Sequence, residues 1–452
     1  MFKIQKYISK LIIALKEREI AKEYKQLKKM QYDPRDLIEA RQLDKLNVIL
    51  NHAYNTVPYY RTLFNENNLV LDGKVKLKTI EEIKKIPFLT KQIIKNEKTS
   101  LYSHEHHERK AYQNSSGGSS GEPVHFLQDQ HYLNIGGANA LLSYSWRGAE
   151  PSESVIYIWG AERDTFEGKK PIFNSVKEFL RNIIVLNCYK MTEDNMLDYI
   201  KILNKHKPRL IIAYIESIYE IAKFAKRNNI NVEPQHAIHG AAGTVHDFMR
   251  DEVEGVFQCK VFNHYGSREV GSIASECKEH CGLHILMDNV FVEIIDEKGN
   301  VCENGEDGEV VVTTLNNYSM PLIRYKIGDI GAKSEYSTCA CGVNYQKLKY
   351  VKGRTTEQFK TKKGSRIDSV MLGSLFYFHD KIQLFQMTQE KLDLISIKIV
   401  VKKDATLHEQ ELEEIKKQIS FIMEDECDIQ FEFVDHIPKT KTGKFLYTIS
   451  KV

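Results

Sequence analysis

Long apolar runs are missing from this chain. The longest near its start, Leu11 to Leu15, falls far short of the ~20 residues that a membrane-spanning helix needs, and no small-residue cleavage site follows it, which argues against export. Net charge is scarce as well. A balance of +3 over 452 residues excludes a protein whose main work is coating nucleic acid and leaves anionic small molecules as ligands. Cysteine is sparse, eight in all, too few for a disulfide scaffold. Four of them, Cys277, Cys281, Cys339 and Cys341, nevertheless crowd into two short clusters, a pattern that points to a bound metal in a reducing cytoplasm. Internal repeats, coiled-coil heptads and low-complexity segments are absent too.

With 42% hydrophobic and 28% charged residues, the composition is that of a soluble globular protein, and the length calls for two or three packed units. Residues 1–110 read as mostly helical. The first helix, residues 1 to about 30, sets Ile4, Ile8, Leu11, Ile12 and Leu15 at helical spacing among Lys3, Lys6, Lys10, Lys16, Arg18 and Lys22, so it docks on its own domain or, as the alternative, touches an anionic membrane. Residues 111–280 alternate short apolar strands (154–159, 183–186, 210–213) with helices (193–206), the pattern of a mostly parallel α/β sheet. Residues 281–352 change to strand runs, at 290–295 and 309–314, joined by a turn-rich link, which predicts a β-rich part. From Gly353 to residue 452, strands at 392–401 and 429–434 around a helix at 407–423 predict a small α+β domain.

The densest chemical signal is Ser115-Ser116-Gly117-Gly118-Ser119-Ser120-Gly121-Glu122-Pro123. Glycines let backbone amides approach phosphate oxygens, and serine hydroxyls add donors that follow the charge as pyrophosphate leaves. A flexible linker has the same composition. The loop resembles the Ser/Thr/Gly-rich phosphate loop of the adenylate-forming superfamily, the acyl- and aryl-coenzyme A ligases. Family loops carry Lys where this chain has Glu122, which leaves the phosphate charge to backbone donors and magnesium.

Five further segments resemble that family in the same order along the chain. Gly240-Ala241-Ala242 is similar to the small-residue turn beside the adenine and acyl pocket. His264-Tyr265-Gly266-Ser267-Arg268-Glu269 is similar to the family's Tyr-Gly-x-x-Glu segment, which places Tyr265 on the adenine, Ser267 near phosphate and Glu269 on Mg2+. Arg324-Tyr325-Lys326-Ile327-Gly328-Asp329 resembles the signature whose Asp, here Asp329, accepts from both ribose hydroxyls. Gly353-Arg354-Thr355 looks like the hinge before the small mobile domain, with Arg354 reaching the nucleotide and Thr356 standing where an acidic or Lys residue is usual. Pro438 to Lys444 resembles the C-terminal loop whose last lysine, Lys444, holds carboxylate and α-phosphate together during adenylation.

Asn51-His52-Ala53 and Val57-Pro58-Tyr59-Tyr60-Arg61 are similar to the phenylacetate-coenzyme A ligase branch, and capsule-biosynthesis ligase-like proteins share that stretch. The branch implies a structural, closed Zn2+ site, carried here onto Cys277, His284, Cys339 and Cys341, with Cys281 as the competing ligand. The resemblance therefore implies the adenylate-forming fold: a large domain, 1–352, and a small one, 353–452. It also implies a cytoplasmic ligase that makes an acyl-AMP from ATP and a small carboxylic acid and passes the acyl group to coenzyme A. Two alternatives stay open: an amide-forming ligase that uses an amine acceptor in surface polysaccharide biosynthesis, and a non-catalytic nucleotide-binding scaffold. A homodimer is a further association that the residues leave open.

Overall fold

The computed structural model describes residues 17–116, 124–160, 178–188, 191–354, 359–362, 366–367, 372–373, 375–376, 379, 381–403, 405–423, 427–438 and 446–452. Two compact units divide the chain, Met1–Ile327 with Gly331–Val351 and Gly328–Ile330 with Lys352–Val452.

In the first unit, α1 (Arg18–Met30) buries Tyr24 and Leu27. The Tyr24 hydroxyl and the Lys28 ammonium both donate to the Glu150 carboxylate, at 2.8 and 2.5 Å. The described part of the basic N-terminal helix is thus docked on its own domain; Ile4 to Leu15 lie outside the described residues. In α2 (Arg35–Thr56), Leu46, Leu50 and Ala53 are fully buried, and Gln42 donates to the carbonyls of Met287 and Val290 at 2.9 Å each. Pro58 opens α3 (Pro58–Glu66), where its missing N–H costs nothing. Asn51 donates to the Val75 carbonyl and so holds the small hairpin β1 (Val70–Leu71) and β2 (Lys74–Val75). The Thr90 hydroxyl accepts from the Ile93 amide at 3.2 Å and caps α4 (Lys91–Glu97).

A second hairpin, β3 (Tyr112–Ser115) and β4 (His125–Gln128), leads into α5 (Gln130–Ser145). Asp129, fully buried, caps α5 through Tyr132 N at 2.8 Å and holds the amides of Tyr318 and Ser319 with its other oxygen. Next come β5 (Val155–Trp159), β6 (Ile183–Asn187), helix α6 (Glu193–His206), β7 (Leu210–Tyr214), α7 (Ile215–Arg227), β8 (Ala237–Ala241), α8 (Asp247–Phe257) and β9 (Lys260–Ser267). Adjacent members of β6-β5-β7-β8-β9 are parallel. All residues of β7 and β8 are buried, as parallel strands covered on both faces must be.

The strands that follow, β10 (Gly271–Glu276), β11 (Leu283–Ile285), β12 (Val290–Ile295), β13 (Gly308–Thr314), β14 (Tyr325–Lys333) and β15 (Lys347–Arg354), extend the same sheet. Its order among the described residues is β12-β13-β14-β15-β11-β10-β9-β8-β7-β5-β6. The segment 281–352 therefore makes no separate sheet there. The antiparallel turn from β9 into β10, and from β10 into β11, adds each new strand to the open edge.

In the second unit, β18 (Ile382–Lys391) and β19 (Leu394–Val401) form an antiparallel pair flanked in parallel by β20 (Asp428–Phe433) and β21 (Thr448–Ser450), and α9 (Glu409–Ile422) buries Ile415 and Ile419 against them. The small pair β16 (Phe359–Lys360) and β17 (Arg366–Ile367) is pinned to this sheet by Gln389, which bonds both the amide and the carbonyl of Lys360.

Arg324 is structural within its motif. Its guanidinium is 2% exposed, binds both oxygens of buried Glu293 at 2.8 and 3.0 Å, and donates to the carbonyls of Lys84 and Ile86. A buried charge whose partner is removed costs about 3–5 kcal/mol. Arg324→Met should therefore lower the unfolding free energy by about that amount in a urea titration, and the double replacement of Arg324 and Glu293 by Met should cost less than the two single replacements together; a double loss equal to their sum would mean that the pair is not energetically linked.

Candidate active site and metal centre

Parallel strands place their carboxyl ends at one edge, where open α/β sheets bind ligands. At that edge β8 ends in Gly240 and Ala241, and Ala242 turns with φ of 69°. A Cβ on Gly240 would stand 3.0 Å from Val245 Cγ2, so glycine keeps this turn close to the neighbouring helices. Beside it, β9 ends in His264, Tyr265, Gly266 and Ser267, paired in a hairpin with β10. Gly266 crosses so near the opposite strand that a Cβ would meet the Gly271 carbonyl oxygen at 2.6 Å. Trp159 and Tyr214, at the ends of β5 and β7, bring their rings to 4.2 Å.

The serine- and glycine-rich segment joins the two strands of the β3–β4 hairpin. Ser115 pairs with His125, the Ser116 amide donates to the Val124 carbonyl at 2.9 Å, and the Ser116 hydroxyl accepts from the Val124 amide at 2.9 Å. Gly117, Gly118, Ser119, Ser120, Gly121 and Glu122 lie outside the described residues, between these two anchors. The hairpin is in turn fastened to the Glu269 turn by Gln128, which is 3% exposed. Its amide donates to the Arg268 carbonyl at 2.7 Å, while its oxygen accepts from the Tyr112 hydroxyl at 2.9 Å and Asn114 at 3.1 Å. No motif marks Gln128, because its role depends on two segments 140 residues apart in sequence.

Glu269 is 6% exposed, and no hydrogen bond to its carboxylate is found among the described residues. A buried carboxylate in that setting fits a cation partner. His264 turns to the opposite side of β9 from Tyr265, its ring 4.5 Å from that of His239 and its Nδ1 3.3 Å from the Ser275 hydroxyl. Burial and the Arg147 guanidinium push His264 down to about 3, so the ring is neutral. Asp329 lies on β14 after Gly328, whose φ of 90° suits glycine. Arg354 ends β15, while Thr356 and Lys444 lie outside the described residues.

A second constellation is built by the turns after β10 and before β15. The ligand atoms of Cys277, His284, Cys339 and Cys341 all lie within 4.8 Å of one another. Cys277 Sγ is 3.6 Å from Cys339 Sγ, and Cys341 Sγ is 3.3 Å from His284 Nε2. Ligands at about 2.3 Å for sulfur and 2.0 Å for nitrogen around a tetrahedral centre stand at such spacings, whereas a disulfide needs about 2.05 Å between sulfurs. The other ring nitrogen, His284 Nδ1, is 3.4 Å from the Tyr345 carbonyl, the kind of contact that aims an imidazole at a metal. Cys281, exposed, brings a fourth sulfur to 3.2 Å from Cys339.

Replacing Gln128 with Leu strands the Arg268 carbonyl in a buried position. An unmade buried hydrogen bond costs about 1–3 kcal/mol, and Gln128→Leu should lose that much in urea unfolding. A loss below about 0.5 kcal/mol would show that the clamp is energetically idle.

Against known proteins, residues 359–451 match the family model described as the CapK C-terminal domain. Protein CapK of Staphylococcus aureus is 27% identical over 450 residues, covering 97% of this chain and 95% of that protein. Phenylacetate-coenzyme A ligase of Thermus thermophilus is 24% identical over 386 residues, 84% of this chain and 81% of that one. Among solved structures, a 2-hydroxyisobutyryl-CoA ligase in its postadenylation state, in complex with R3-HIB-AMP, superposes with a TM-score of 0.71 at 16% identity, covering 91% of this chain and 89% of that chain. The O-succinylbenzoate coenzyme A synthetase of Bacillus subtilis in complex with AMP gives 0.52 at 16% identity over 74% of this chain and 67% of that one. The fold is thus that of the adenylate-forming ligases.

Proposed function

We propose that this chain, which carries the adenylate-forming fold and has CapK and the phenylacetate-coenzyme A ligases as homologues, is an ATP-dependent carboxylate ligase. It forms an acyl-AMP and transfers the acyl group to coenzyme A. The observation that carries the reading is the Gln128 clamp, which fastens the stem of the Ser/Gly loop to the Glu269 turn. An ordinary linker has no need of such an anchor. Relatives named as coenzyme A ligases and neighbours bound to acyl-adenylates support the same chemistry.

In this reading the substrate carboxylate attacks the α-phosphorus of ATP, the bond to the β-phosphate oxygen breaks, and pyrophosphate leaves. Ser115, Ser116 and the loop amides hold the departing phosphates, the turn 240–242 and Tyr265 receive the adenine, and Asp329 accepts from the ribose hydroxyls. Lys444 places one cation between the two reacting anions, removing their repulsion. Glu269 would hold Mg2+, which when bound offsets the phosphate charge. Arg354 belongs to the hinge about which the small domain turns between the two half-reactions. Dependence on ATP and coenzyme A, together with eight free cysteines, fits a cytoplasmic enzyme.

Cys277, His284, Cys339 and Cys341 would hold a structural Zn2+ that ties the β10–β11 turn to the segment before β15. Elemental analysis should find about one zinc per chain, and Cys339→Ser should reduce it to trace and lower the thermal midpoint. A metal-free wild-type protein of unchanged stability would refute this assignment.

Acid-dependent pyrophosphate release should be lost by roughly 100-fold or more in Lys444→Ala, the scale of one missing transition-state charge contact, with nucleotide binding kept. Replacing coenzyme A by amines in the second half-reaction identifies the acceptor. Release of pyrophosphate that is the same with and without Lys444 would overturn the role given to it.

A further inference from the structure

One buried cationic group in the first unit makes no hydrogen bond or ion pair to an anion among the described residues. Arg147, just past the C-terminal end of α5, is 6% exposed. Its guanidinium donates to the Ser143 carbonyl at 2.6 Å, to the Ser143 hydroxyl at 3.3 Å and to the Ser275 hydroxyl, and it lies over the Phe262 ring. Every one of these partners is neutral. Its Nε has no acceptor among the described residues.

The nearest carboxylate, Glu276, is already committed. It binds Arg250 with both oxygens at 3.0 and 3.1 Å and accepts from the Asn263 amide at 2.7 Å, with His280 Nδ1 at 3.2 Å. Burial lowers Arg147 to about 10, which still leaves it fully charged at neutral pH. A buried charge without a counter-ion is strongly destabilising, and the carbonyl end of a helix offsets only a small part of that.

Two histidines surround this cation without neutralising it. His239 is 3% exposed with an unpartnered Nδ1, and burial, Arg147 and His264 hold it well below the usual imidazole range. His264 stacks on it at 4.5 Å, and Tyr144 meets His239 edge-on at 5.4 Å. His264 and Tyr144 are only half-buried, so this cluster reaches the surface of the unit. Its position is informative. His239 and His264 each stand one residue before the segments given to the nucleotide, Gly240 and Tyr265, on adjacent parallel strands. A group bound here lies one residue deeper along the strands than the nucleotide segments and on the other face of β9 from Tyr265, the side given to the acyl group.

We infer that the acid this enzyme activates carries a second carboxylate, held at the far end of the acyl pocket by Arg147 beside the neutral rings of His239 and His264. The inference rests on the adenylating function proposed above and narrows its substrate class to short dicarboxylic acids. A guanidinium presents a planar fork that matches a carboxylate in two parallel hydrogen bonds. An apolar aryl or fatty tail would leave the same fork desolvated and unpaired, a strong rejection.

The test is pyrophosphate release by the full chain with ATP and Mg2+ over matched acids: succinic against butyric, glutaric against valeric, phthalic against benzoic. The diacid should be favoured in kcat/KM by on the order of 100-fold or more in at least one pair. Arg147→Met should abolish that preference chiefly by raising the KM of the diacid, and Arg147→Lys should keep part of it. Equal or better use of the monoacids by the wild type would overturn the inference, as would an Arg147→Met enzyme with the same preference. Should Arg147→Met fail to fold, the wild-type ratios and the lysine variant decide. If no acid gives pyrophosphate, the adenylating function fails on its own. Thermal stabilisation by diacids but not monoacids, lost in Arg147→Lys or Arg147→Met, would still uphold the pocket, and no stabilisation by any diacid would overturn it.

Discussion

The parallel pairing of β5, β7, β8 and β9 is the constraint on which the rest of the first unit depends. Parallel strands need a crossover between each pair, and those crossovers are the helices that bury both faces of the sheet. Because all four strands run one way, their last residues, Trp159, Tyr214, Ala241 and Ser267, arrive at one edge. Segments far apart in sequence are thereby brought together by the ladder itself. At β9 the direction reverses, and the hairpin into β10 carries Glu269 on its turn. The antiparallel strands that follow lead on to the cysteine turns at 277–284 and 339–341.

Against this frame, side-chain clamps fix what the sheet leaves loose. Gln128 joins the hairpin of the Ser/Gly loop to the Glu269 turn, Asp129 joins the start of α5 to residues 318 and 319, and the Arg324–Glu293 pair fixes the entrance of β14. Each is buried, so the polar atoms have protein partners in place of water and the geometry is over-determined. The proposed adenylation needs such rigidity around the Ser/Gly loop, because phosphate donors must already be aimed when charge develops.

Much of the architecture was legible in the sequence, and physical reasons separate what was from what was not. The strands 155–159, 210–214 and 290–295 were visible as short apolar runs bounded by turns, and α6 as a helical period closed by Thr192 and Lys207. That the strands of 281–352 join the main sheet was not visible, since apolar alternation specifies which face a strand buries but not which neighbour it pairs with. The gathering of Cys277, His284, Cys339 and Cys341 was legible because paired cysteine clusters have few other uses. Gln128 and Arg147 were not: their importance lies in partners 140 and 128 residues away, and neither residue type announces burial. His264 was read with the nucleotide from its motif, yet the period of two along β9 turns its ring toward His239, away from the face of Tyr265.

The identity of the nucleotide product bears most directly on the central claim that this chain adenylates a carboxylate. With ATP, Mg2+, coenzyme A and a panel of carboxylic acids that includes short diacids, the nucleotide formed is separated and quantified. AMP with an equal amount of pyrophosphate, appearing only when an acid is supplied, is the expected result. ADP with inorganic phosphate, or AMP formed at the same rate without any acid, would contradict it.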